Sequence, residues 1–137
     1  VNQHPAIWYV LVLQDGGRGP GARGRGKDAS CARGWSVLGM FCFFPENDIC
    51  WRAHVALLRG TARAVTRQAG REVMAWLWAN TPCRRLIASV PASNRAAVRY
   101  GLDVAGMNLL PFGVNEKSFL KGGKLWDQVL MGRSRPE

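Results

Sequence analysis

The sequence predicts an α/β fold in which strands outnumber helices. Three observations carry that reading. Short apolar runs rich in β-branched and aromatic residues recur, among them AIWYVLVL (6–13) and VLGMFCFF (37–44). One long stretch, 61–80, instead repeats its apolar residues at helical spacing. That helix stands between two strand-like runs, the order of a right-handed crossover joining parallel strands. With 137 residues, 47% of them hydrophobic, and six tryptophans, the chain is long and apolar enough for one domain with a real core.

Residues 6–13 are the first expected strand. The next segment, DGGRGPGARGRGKDASCARG (15–34), holds nothing that could anchor a core and reads as a flexible connection between antiparallel strands. Its composition is like that of Arg-Gly segments that bind RNA, although a solvated loop accounts for it more simply. Residues 35–44 form the second strand, PEND (45–48) turns the chain, and ICWRAHVALL (49–58) forms the third. These three are expected to make an antiparallel meander. In the helix, Ala62, Val65, Ala69, Val73, Trp76 and Leu77 share one stripe, with Arg63, Arg67, Arg71 and Glu72 on the other side. Pro82 stops it. RRLIASV (84–90) is a fourth strand. Ser93 or Asn94 then caps a second helix that reaches Val104 and closes at Gly106. Two last strands, 107–112 and 125–131, flank a Gly122-Gly123 turn, and 132–137 reads as a polar tail.

The formal charge is +10, which favours polyanionic partners: nucleic acid, acidic membranes or phosphorylated cofactors. The apolar runs are too short to cross a bilayer and read as buried strands. The first lacks the basic n-region and cleavage site of a signal peptide, so none is expected. Cys31, Cys42, Cys50 and Cys83 form no C-x-x-C pair and no metal-ligand rhythm. Free, mostly buried thiols in a reducing compartment are expected, with no metal.

One short knot stands out, Arg59-Gly60-Thr61-Ala62-Arg63-Ala64, between the apolar HVALL and the amphipathic helix. The first turn of a helix leaves backbone N–H groups unpaired, and the helix dipole places partial positive charge there. A diphosphate satisfies both. Arg59, Arg63 and Arg67 would add charge-assisted contacts. The plainer alternative is an ordinary helix start with Thr61 near the cap.

The element order and this knot resemble the GNAT superfamily of acyl-CoA N-acyltransferases, whose diagnostic element is R/Q-x-x-G-x-G/A at a strand–helix turn. Ala62 stands where that family usually has glycine, and its Cβ partly obstructs close backbone approach. Downstream, VPASNRAAVRYGLDVAGM (90–107) is similar to the family's second motif: Asn94 and Ala97 match, and Gly106-Met107 replaces Gly-Phe one residue late. The resemblance implies a mixed, mostly antiparallel twisted sheet with flanking helices. It also implies that CoA or acetyl-CoA is held by Leu58, Arg59, Gly60, Thr61, Ala62, Arg63, Ala64 and Asn94. In the implied reaction an amine attacks the acyl-CoA thioester directly, so the protein aligns the two, accepts a proton and stabilises an oxyanion. His54, five residues before Arg59 on the strand that would flank the thioester, is the candidate base. The family's tyrosine acid would fall at Leu102; Tyr100, two residues earlier, is the nearest phenol and the candidate acid. Structural readings stand beside these: a hydrogen-bonded strand histidine and a packing tyrosine. Glu46 and Asp48 are turn residues and secondary base candidates, and His4 beside Pro5 reads as a turn. Cys42 and Cys83 lack a histidine partner in sequence, Asp127 reads as hydrogen-bonded or exposed, and Lys117, Lys121 and Lys124 as solvated.

A narrower resemblance covers NQHPAIW, HVALLRG, VPASNRAA and GGKLWDQVLMG, which are similar to short GNAT-fold proteins of tailed bacteriophages. It implies a virion or head-assembly protein, partnered by phage structural proteins or by itself, in the host cytoplasm or the virion. It also implies that the family's N-terminal strand and helices are truncated or missing. Three functions follow from the sequence: an acyltransferase, a catalytically silent virion protein on the same scaffold, and a basic nucleic-acid-binding module.

Overall fold

The computed structural model describes residues 7–15, 34–103 and 107–137. His4, Cys31, the heart of the Gly/Arg connection and Gly106 lie outside them. Eight elements follow in order: β1 (Trp8–Asp15), β2 (Trp35–Pro45), β3 (Cys50–Leu57), α1 (Arg63–Asn80), β4 (Arg85–Pro91), α2 (Arg95–Leu102), β5 (Leu110–Lys121) and β6 (Lys124–Ser134). The strands form one sheet in the order β1-β2-β3-β4-β6-β5. Every neighbouring pair is antiparallel except β3 and β4. The meander and the parallel crossover through α1 are therefore both present.

The core lies between the sheet and the helices. Phe41, Phe43, Trp51 and Ala53 meet Val73, Met74 and Leu77 of α1, and Leu86, Ala88 and Met131 continue the same layer toward Leu109. The stripe expected on α1 is rotated slightly: Gly70 and Met74 turn inward beside Val73 and Leu77, while Ala62 is exposed. The helix starts two residues later than expected because Thr61 is spent in the preceding turn, where its N–H and Oγ1 both donate to the Leu58 carbonyl oxygen, at 3.3 and 2.9 Å.

Three other expectations are corrected. The first strand is not buried: β1 is an edge strand on which Tyr9, Leu11 and Leu13 are about half exposed. Only its other side turns inward, with Val10 and Val12 on the core and Trp8 against Trp76 at 5.7 Å. The fifth strand runs to Lys121, far past Phe112, because a bulge at 115–119 carries it through a polar stretch. Asp127 Oδ1 accepts the Lys117 N–H at 2.9 Å and braces that bulge. Finally, β6 takes in Gly132, Arg133 and Ser134, the start of the supposed tail. They pair with Ile87, Leu86 and Arg85, and at Gly132 an added Cβ would lie 3.0 Å from the Leu86 carbonyl oxygen.

Candidate functional site

β3 and β4 begin side by side and then part. Register pairs join Cys50 to Arg85, Trp51 to Leu86 and Arg52 to Ile87, and no pair follows, although the strands continue to Leu57 and Pro91. Arg52 pins the point of divergence: Nη1 donates to Ser89 Oγ on β4 at 2.8 Å, and Nε donates to Glu46. Past it, the β3 main-chain groups that point toward β4 have no strand partner. A cleft of about 530 Å³ opens there, lined by Ala53 to Leu57, by Ala88 to Pro91 and by residues of α2.

The structure brings His54, Asn94 and Tyr100 to this one cleft. His54 is exposed, its ring edge-on to Phe44 at 5.2 Å. Asn94 is the N-cap of α2; its Oδ1 accepts the Ala97 N–H at 3.1 Å, so Asn94 and not Ser93 starts that helix. α2 ends at Leu102, two residues short of the expected end. Tyr100 lines the cleft and Leu102 does not. The Tyr100 hydroxyl nevertheless donates to the Thr66 carbonyl oxygen of α1 at 2.7 Å, and burial pushes its pKa up to about 12. Its proton ties the two helices together and is held more firmly than an ordinary phenol's.

The turn 58–64 continues β3 out of the cleft. Gly60 has φ +83° with open space where a side chain would sit, a backbone that favours glycine. Ala62, at φ −56° and ψ 136°, has an ordinary conformation, so alanine there strains nothing. It is the N-cap of α1 yet offers no side-chain hydrogen bond, and no acidic residue lies in the first turn. Among the described residues the amides of Arg63, Ala64 and Val65 have no hydrogen-bond partner. An anion would find donors and positive potential there, so the residues present fit a phosphate-bearing ligand.

The three arginines expected beside this turn are divided. Arg59 is exposed. Arg63 Nη2 and Arg67 Nη2 donate instead to the two carboxylate oxygens of Asp103, at 3.3 and 3.0 Å. Arg67 thus leaves the solvent side of the helix for a partly buried ion pair. Asp103 was not among the sequence candidates, although within the last turn of the expected helix a carboxylate sits against the dipole and signals a partner elsewhere. Glu46, a secondary base candidate, is committed to Arg52, and Asp48 stays at the exposed β2–β3 turn.

Burial raises the thiol pKa of Cys42, and pushes that of Cys83 up to about 11. Neither suits a nucleophile. The described cysteines are free, Cys42 and Cys83 buried and Cys50 half-buried. Among the described residues no helix is long and apolar enough to cross a membrane, and no group of three or more His, Cys, Asp or Glu could hold a metal ion.

Comparison with solved structures places this architecture. The spermidine/spermine N-acetyltransferase of Vibrio cholerae superposes with a TM-score of 0.64 at 12% identity, over 73% of this chain and 60% of that one. The ribosomal-protein-S5-alanine acetyltransferase of Vibrio fischeri gives 0.62 at 13%, over 73% and 55%. The chain has the GNAT fold. It spans less than two thirds of the length of either structure. No family model and no curated relative matches the sequence.

Proposed function

We propose that this chain is an acyl-CoA-dependent N-acyltransferase domain that binds the coenzyme's diphosphate at the turn 58–64 and its acyl arm in the cleft between β3 and β4. One observation carries the reading: the two parallel strands part after Arg52, the opening between them is lined by β3 as far as Leu57, and the chain then turns into an uncapped helix start. The amides of Arg63, Ala64 and Val65 would meet the phosphates, with Arg59 adding charge. The unpaired main-chain edge of β3 complements an extended arm that carries amides of its own. When bound, acetyl-CoA supplies an activated carbonyl for an incoming amine. His54, on the cleft wall, is the group placed to take the amine's proton. Asn94 acts through the backbone, by fixing the start of α2 beside the cleft.

The test is a titration of the chain with CoA under thermal denaturation. At a hundredfold excess over its dissociation constant, CoA stabilises a specific binder by about 2.7 kcal/mol. No shift at millimolar CoA overturns the proposal.

The second reading, a catalytically silent protein on the same scaffold, is favoured by the Tyr100 hydroxyl being given to Thr66. Under that reading CoA binds and no thiol is released with any amine offered. The phage-like motifs lend it a role in a virion or its assembly, and the chain would then be found in purified particles. A nucleic-acid-binding role rests on the +10 charge, and would show as DNA affinity falling steeply with salt.

A further inference from the structure

Two of the three arginines suited to a diphosphate are already paired with a carboxylate of this chain. Asp103 directly follows α2, at the helix end where the dipole disfavours negative charge. Two groups of α1 reach it: Arg63 and Arg67, one helical turn apart, donate to its two oxygens. The Asp103 side chain is only 14% exposed, against 71% for Arg63 and 37% for Arg67. The carboxylate is therefore the shielded partner; Arg63 reaches it from the first position of α1, where the amides are open, and Arg67 reaches it from one turn further along with its guanidinium partly buried. Arg67 Nε, moreover, is buried with no hydrogen-bond partner among the described residues.

We infer that Asp103 is a built-in counter-ion of the proposed coenzyme site, holding Arg63 and Arg67 together and setting how tightly the start of α1 binds phosphate. The inference rests on the coenzyme reading. A ligand phosphate must share both guanidinium groups with the carboxylate or displace it, and the two anions repel. Asp103 touches no reacting atom; it is a positioning residue that lowers phosphate affinity while keeping the arginines aligned.

Asp103→Asn keeps the shape and removes the charge. Dissociation constants of the full chain and this variant are measured for CoA, for phosphate-free pantetheine and for inorganic pyrophosphate. CoA and pyrophosphate should bind about tenfold tighter to the variant, and pantetheine equally to both. A merely structural role would move all three together, and that result overturns the inference. If CoA binds the natural chain and no tighter to the variant, the inference falls and the coenzyme reading stands. If pyrophosphate binds tighter to the variant while CoA binds neither protein, the counter-ion role stands and the coenzyme reading falls. If nothing binds either protein, both fall. Should the variant not fold, pyrophosphate titrated into isotope-labelled natural chain must shift the side-chain N–H signals of Arg63 and Arg67. Unmoved signals overturn the inference.

Discussion

The two helices of this chain begin in opposite ways. α2 opens on Asn94, whose side chain accepts the Ala97 amide, whereas α1 opens on Ala62, which has no side-chain oxygen to offer. Their remaining support is also reversed. α2 has eight residues and buries only Gly101; α1 has eighteen and buries Gly70, Val73, Met74 and Leu77. A short helix is marginal without help at its ends, while a long one packed along its length can leave its first amides unmet. The open end thus lies on the helix that packing already holds. The closed end lies on the helix that needs closing.

The strongest way to break this comparison is to remove the packing. Leu77 is fully buried in the layer between α1 and the sheet. Leu77→Ala should cost about 2–5 kcal/mol in urea denaturation, the range for a large-to-small change in a core. A loss under about 1 kcal/mol would mean that α1 is held from its start after all, and the contrast would dissolve.

The cap of α2 comes next. Asn94→Ala removes the acceptor of the 3.1 Å bond from Ala97 and should cost about 1 kcal/mol. Amide exchange should quicken in α2 first and leave α1 protected. Equal loosening of both helices would show that the Tyr100–Thr66 bond, rather than the cap, governs how α2 is held.

Much of this was legible in the sequence. Strand order followed from apolar runs broken by turn residues, and Asn94 was readable as a cap because Asn before a helical pattern has few other uses. β1 misled because AIWYVLVL is apolar at every position, so nothing in the pattern says that only one side is covered. β5 was cut short because the rest of it, GVNEKSFLK, bends through a bulge at Lys117, φ 46°, and breaks the alternation. In the site, the turn 58–64 was visible as a local motif. The contacts that qualify it were not, since they span long stretches of chain: 40 and 36 residues for Asp103 with Arg63 and Arg67, and 34 for Tyr100 with Thr66. The parting of β3 and β4 left no trace either. Both strands keep their apolar residues beyond the last pair, and periodicity records which side is buried but not which neighbour is lost.

The smallest effect is the most discriminating. Ala62→Ser gives α1 the cap it lacks, placing a hydroxyl oxygen where it can accept from the amide of Ala64 or Val65. The backbone at 62 is already outside the helical region, as an N-cap requires, so the change should add about 0.5–1 kcal/mol to stability. CoA affinity should fall at the same time, because the added oxygen takes a donor that the diphosphate needs. A more stable protein that binds its ligand less well is the signature of a helix end kept open for use. If serine stabilises the chain and leaves CoA binding unchanged, the missing cap at Ala62 is incidental, and the phosphate contacts must come from the arginines alone.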